Sequence, residues 1–231
     1  MATPTIKSHP ELAQTAILLL AAGSSQRMGG KIADKCLFPL RGKILLSYAY
    51  EAFQSIGNWQ EIVIVYRDEA QQKLLAPYFS PAVTWVSGAT TRALSVFNAL
   101  EYLHRQATPP RWVLIHDGAR PYIAQELIEK IFLETLKKGS AIPAKEVTDT
   151  LVQKDSLQGI YHYPRRQDYL RVETPQGFTF SLLYQAYRSQ LHDLSSFTDD
   201  SAIYQTQSPL HFVVHPMRND KITFAEELQY C

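Results

Sequence analysis

Three observations predict an α/β fold built on a mostly parallel sheet. Short apolar or β-branched runs alternate with stretches of helical periodicity from residue 16 to residue 139. Three of those runs lead directly into polar, glycine-bearing turns. Such alternation implies parallel strands joined by right-handed crossovers. The ligand site of such a sheet lies beyond the carboxyl ends of its strands.

Residues 1–14 carry two prolines and little apolar content, and read as a loose, flexible leader. Ala16–Leu20 is an apolar run too short for an independent helix, which fits a fully buried strand. Beyond it, AAGSSQRMGGKIADK is rich in glycine and serine and carries Arg27, Lys31 and Lys35. Gly23, Gly29 and Gly30 let backbone approach a ligand closely. Backbone N–H groups and cations at a strand end are what a polyphosphate needs. An ordinary strand-to-helix connection with surface charges is the alternative.

Arg41–Gly42 reads as a turn. Leu45, Tyr48, Ala49, Ala52, Phe53 and Ile56 then fall at helical spacing, and Gly57 stops that helix. Glu61–Tyr66 is a β-branched strand, and Asp68 is a good N-cap for a helix to about Leu75. A short strand at Val83–Val86 precedes a helix over Thr91–Leu103. The strand Trp112–Ile115 ends in His116-Asp117-Gly118-Ala119-Arg120-Pro121, and a helix follows from about Gln125 to Lys138. The Gly23 loop, Gly88–Arg92 and Asp117–Arg120 all follow strands, so they converge on one crevice.

The pattern changes after Ser140. Short extended pieces at Ile142–Val147, Thr150–Gln153 and Gly159–Tyr163, with several Lys and Arg residues, read as an inserted β-arm at about residues 142–172. A ribbon that cannot bury itself packs on something else, and a second subunit is a reasonable partner. A turn at Thr174–Phe178 leads into a helix around Ser181–Gln190. Thr198 reads as an N-cap with Asp199 and Asp200 in the next first turn, and His211–Val214 as a strand. Thr223–Glu226 has capping-box spacing before a final short helix.

The chain has 231 residues, 45% hydrophobic and 19% charged, the composition of one globular domain over residues 15–231. Its formal net charge of +1 supplies no general field for nucleic acid, so an anion site must be local. No apolar run approaches the length of a membrane span. Cys36 and Cys231 form no disulfide framework and have no metal-ligand spacing, which fits a reducing cytoplasm. His116 has no partner at ligand spacing and reads as structural.

Several motifs match one family in order. They are AAGSSQRMG with DKCLFPLRGK, GATTRALSVFNAL, HDGARP, TDT at Thr148–Thr150, TPQGF, TDD at Thr198–Asp200, and NDKIT at Asn219–Thr223. Together they resemble the 2-C-methyl-D-erythritol 4-phosphate cytidylyltransferases of the non-mevalonate isoprenoid pathway. The resemblance implies a Rossmann-like nucleotidyltransferase fold with an inserted β-arm that swaps across a homodimer. It implies CTP as co-substrate, a polyol phosphate as acceptor, Mg²⁺ as cofactor, and release of pyrophosphate. It also implies roles for particular residues. Arg27, Lys35, Arg166 and Lys221 would be catalytic, with Arg166 supplied by the partner's arm. Ala21, Ala22, Gly23, Ser24, Gly88, Ser95 and Asp117 would contact the nucleotide, and Asp117 the metal. Arg120, Thr150 and Thr198 would contact the acceptor.

This sequence departs from the family pattern in four places. Ser25 stands where a second glycine is frequent, Asp34 where proline is usual, Cys36 where glutamine is usual, and Gly118 where alanine is common. None removes a charged catalytic position. A ribitol 5-phosphate cytidylyltransferase would share the motifs. A non-catalytic nucleotide-binding protein on this fold is opposed by retention of Arg27, Lys35, Asp117 and Lys221. A sugar-1-phosphate nucleotidyltransferase would share the first loop but not TPQ, TDD and NDKIT.

Overall fold

In the computed structural model, residues 6–24, 34–154, 159 and 161–230 are described. The first half runs β1 (Thr15–Leu20), a hairpin of β2 (Pro39–Leu40) and β3 (Lys43–Ile44), α1 (Leu45–Ile56), β4 (Glu61–Tyr66), α2 (Glu69–Leu75), β5 (Thr84–Ser87), α3 (Arg92–His104) and β6 (Trp112–Asp117). The second runs α4 (Gln125–Lys138), β7 (Ser140–Glu146), β8 (Gln153–Lys154), β9 (Tyr161–His162), β10 (Leu170–Val172), β11 (Gln176–Thr179), α5 (Phe180–Ser189), α6 (Asp200–Tyr204) and β12 (Phe212–Val214).

β1 is the centre of the sheet because it is apolar on both faces. It pairs in parallel with β4 on one side and β6 on the other, and β5 extends the sheet beyond β4. Ile17 and Leu19 point into one core with Phe53 of α1 and Phe132 of α4. Ala16 and Leu18 point into the other with Val96 and Leu100 of α3 and Leu183 of α5. The chain leaves β1 toward β4 and β5, then crosses back to β6. The strand order therefore reverses at β1, which is where the fold class places its ligand crevice. β11 lies antiparallel between β6 and β7, and β12 pairs in parallel with β7.

The structure corrects several details. The loose leader expected over residues 1–14 is, from Ile6 onward, two 3-10 turns. Leu12 is buried in the core there, because its side chain fills space beside Gly57. The arm is shorter than residues 142–172. Most of its first expected piece belongs to β7 in the main sheet, and β10 returns to pair with that strand. Within the arm, among the described residues, β8 and β9 alone form a ribbon separate from the main sheet. Asp199, not Thr198, caps α6, its carboxylate accepting from Ser201 N. Glu227 rather than Glu226 caps the last turn, taking the N–H groups of Thr223 and Phe224. That turn is 3-10, Ala225–Tyr230. The turn begins one residue later than the capping-box spacing implied, so Phe224 precedes its first residue and Glu227 stands three positions on, where a capping box puts its acid.

Candidate functional site

Three strand-end turns and one C-terminal segment enclose a cavity of about 690 Å³ over the carboxyl edge of the sheet. After β1, Ala21 is tied to the neighbouring strand by its N–H to Val65 O (2.9 Å), and Ala21, Ala22, Gly23 and Ser24 form one wall. Among the described residues, its two chain neighbours aside, no atom stands within 4 Å of where a Cβ on Gly23 would project, which leaves that face clear of them.

After β5, Gly88 donates to Tyr66 O at 2.6 Å. A Cβ on Gly88 would stand 2.5 Å from the Cβ of Ala22, so glycine alone allows the two turns to touch. Ser95, buried in α3, takes the N–H of Ala89 (2.9 Å) and donates to Thr91 O (2.8 Å). Its hydroxyl thus shapes the turn as well as lining the cavity. Thr91 caps α3 and directs Arg92 inward at the first helical position.

After β6 comes Asp117, the one carboxylate on the cavity lining among the described residues. Oδ1 meets Arg92 Nε at 3.4 Å, and Oδ2 meets Lys221 Nζ at 2.7 Å and Arg120 Nε at 3.8 Å. Burial alone would push this carboxyl up, but the charges of Arg92, Lys221 and Arg120 outweigh it and hold Asp117 well below the usual carboxylate range. Arg92 also reaches Asp200, which is fully buried, at 2.7 Å. The Asp117 N–H donates to Thr174 Oγ1 (3.0 Å), which also contacts His116 Nδ1 (3.2 Å). Burial lowers His116 to about 4, so it is a neutral hydrogen-bonding spacer, as its isolation in the sequence suggested. Gly118 has a local cause. A Cβ there would meet Leu46 Cδ1 at 2.6 Å and Leu20 O at 2.9 Å.

The C-terminal segment closes the site. Ile222 N bonds to Ala119 O (2.9 Å), and Ile222 O receives the ammonium of Lys35 (2.9 Å). Lys35, Arg67, Arg92 and Lys221 line the cavity with one carboxylate, while Asp34 and Asp68 pair with Arg67 and Asp200 with Arg92 from outside the lining. A lining of this charge can accept an anion. Cys36 is on its wall, but burial first and then Asp34 push the thiol up to about 12, against the smaller pull of Lys35.

The other expected residues lie elsewhere. Arg27 is outside the described residues. Arg120 is buried behind Asp117, where Nη1 donates to Asn219 O at 2.7 Å, and it does not line the cavity. Burial lowers its pKa. Thr150 and Thr198 are exposed and are not on the lining. Arg166 is exposed near the ribbon, donating to Thr148 O (2.6 Å). The reading from sequence missed Arg92, Arg67 and Asp200. Arg92 stood inside a quoted motif, immediately after the turn that follows β5, and that placement was the available signal.

Among the described residues no group of three or more His, Cys, Asp or Glu side chains could hold a metal alone. A single carboxylate beside an anion site still suits Mg²⁺, which is commonly bound through one or two carboxylates together with substrate phosphates and water.

The model of one protein family, described as 2-C-methyl-D-erythritol 4-phosphate cytidylyltransferase, matches residues 15–231. A curated protein of that name from Crocosphaera subtropica is 36% identical over 218 residues, spanning 92% of this chain and 93% of its own. One from Prochlorococcus marinus (strain MIT 9515) is 34% identical over 217 residues, covering 92% and 95%. The crystal structure of 4-diphosphocytidyl-2C-methyl-D-erythritol synthase from Anaerococcus prevotii superposes with a TM-score of 0.79 at 25% identity, covering 94% of this chain and 95% of that one.

Proposed function

The chain belongs to the 2-C-methyl-D-erythritol 4-phosphate cytidylyltransferase family, and from that premise we propose that it transfers CMP from CTP to 2-C-methyl-D-erythritol 4-phosphate. The products are 4-diphosphocytidyl-2-C-methyl-D-erythritol and pyrophosphate. The observation that carries the reading is the charge of the cavity lining, where Lys35, Arg67, Arg92 and Lys221 stand with a single carboxylate, Asp117.

An acceptor phosphate oxygen attacks the α-phosphorus of CTP. The new P–O bond forms as the bond to pyrophosphate breaks, so the protein must mainly position and neutralise charge. The backbone of Ala21–Ser24 and the turn at Gly88, ordered by Ser95, hold the nucleotide. Lys35 and Arg27 offset the triphosphate charge. Lys221, held at 2.7 Å by Asp117, stands ready for the reacting phosphates. Arg92 keeps Asp117 ionised, and Arg120 fixes the C-terminal segment through Asn219 O. Asp117 would hold Mg²⁺ together with the nucleotide phosphates, and the bound ion would neutralise further charge on them.

The acceptor side is completed by Thr198 and, from a second copy of the chain, Thr150 and Arg166. The exposed apolar surface of the ribbon region supports a homodimer, with Tyr161 at 58% and Tyr163 at 72% exposure. The protein acts in the cytoplasm, where a free buried thiol such as Cys36 is at home. No helix among the described residues is long and apolar enough to cross a membrane.

Pyrophosphate release across the common nucleoside triphosphates, with methylerythritol phosphate and ribitol 5-phosphate as acceptors, tests the reading. The expected result is turnover with CTP and methylerythritol phosphate. Turnover confined to ribitol phosphate would reassign the acceptor, and no release with any pair would make this a nucleotide-binding protein.

A further inference from the structure

Gln71 lies in the first turn of α2, outside every motif and outside the cavity lining, yet it is 1% exposed. Each polar atom of its amide is used. Nε2 donates to Ala21 O (3.0 Å) and to Asp34 Oδ2 (2.6 Å), while Oε1 accepts the N–H of Arg67 (2.6 Å). Flipping the amide would set its oxygen against two acceptors, so the partners themselves fix its orientation. One of the two acceptors begins the nucleotide wall after β1. The other precedes Lys35. A single side chain therefore joins two segments 13 positions apart in sequence.

Asp34 forms the other end of the joint. It stands where the family usually has proline, and its carboxylate is almost fully buried. Oδ1 takes the N–H of Cys36 (2.9 Å), which constrains the backbone on both sides of Lys35, and Oδ2 also meets Arg67 Nη1 (3.2 Å). Arg67 is in turn held by Asp68 (2.7 Å), the cap of α2. A proline could accept no such bonds through its side chain. The Lys35 segment is thus anchored to α2 by polar contacts that burial makes expensive to lose.

We propose that Gln71, acting with Asp34, is a positioning residue for the nucleotide half of the site, setting Lys35 relative to the Ala21–Ser24 wall. This rests on the assignment of Lys35 made above. It concerns CTP and not the acceptor, because neither anchored segment carries an acceptor contact.

The test is Gln71→Met, which keeps volume and removes all three bonds, measured beside Asp34→Ala, Lys35→Ala and the Gln71→Met/Lys35→Ala double variant. Misplacement of about an ångström predicts a loss of roughly tenfold to a hundredfold in kcat/KM for CTP. KM for methylerythritol phosphate should stay unchanged. In the Lys35→Ala background the same change should cost less than about threefold, because the two act as one unit. Should Gln71→Met fail to fold, Asp34→Ala breaks the joint from its other end and must show the same CTP-selective loss. Equal losses for both substrates that track a lowered Tm, or losses that multiply independently of Lys35, would overturn the proposal. Wild-type turnover by Lys35→Ala would overturn the assignment of Lys35 and the proposal with it. A silent Gln71→Met beside a crippled Lys35→Ala would overturn the joint alone.

Discussion

The nucleotide half of the site and the ribbon that follows β7 use similar residues in opposite ways. In the first, Arg92 bridges Asp117 and the buried Asp200, and Asp34, Gln71 and Arg67 form a second enclosed network. In the second, Arg165 meets Asp168 at 3.8 Å with both side chains largely in solvent, and the exposed Arg166 donates to Thr148 O. The difference is enclosure. The described part of the first half pairs its charges with one another inside one chain. The second presents its charges to whatever comes next, which in the proposed dimer is another copy's acceptor site.

Breaking an enclosed pair should cost the most. Asp200→Ala leaves the guanidinium of Arg92 only its longer contact with Asp117 and removes the acceptor of the buried Tyr187 hydroxyl, and should lower unfolding free energy by about 3–5 kcal/mol, read from the urea midpoint. The same enclosure shields Cys36. With its thiol pushed up to about 12 by burial, the folded protein should hold on the order of a thousandfold less thiolate than the unfolded chain near pH 8. Alkylation followed by peptide mass spectrometry at Cys36 should therefore be strongly suppressed until urea is added. Lys35→Ala and Lys221→Ala should each lose about 3 kcal/mol of transition-state stabilisation in pyrophosphate release, while circular dichroism and Tm stay close to wild type. At the bottom of the scale, Asp168→Ala on the ribbon side should change stability by less than about 1 kcal/mol, because solvent screens its pair. A cost there comparable to that of Asp200→Ala would erase the contrast.

The contrast also tracks what could be read from sequence. Strands and helices up to Lys138 follow local patterning, so β1, β4 and β6 and the helices between them were predictable, and so was the convergence of their turns. The ordered motifs placed Asp117, Lys35 and Lys221 in one site, although Lys221 and Asp117 are 104 positions apart. Buried polar pairing was not readable. Asp200 looks like any helix-start aspartate until Arg92 arrives from 108 positions away. Gln71 looks like a surface residue of a short helix. Asp34 looked only like a departure from pattern, and its reason is a tertiary contact. The ribbon was readable as a ribbon, but β7 and β10 belong to the sheet because pairing, not composition, decides where an arm begins.

Co-expression of the Lys35→Ala and Arg166→Ala chains tests the central claim most directly. If each site takes its nucleotide half from one chain and Arg166 from the other, each variant alone is crippled. Random pairing then gives mixed dimers with one intact site, and activity returns to roughly a quarter of wild type. Activity no greater than the average of the two separate variants would contradict the shared site and confine both halves to a single chain.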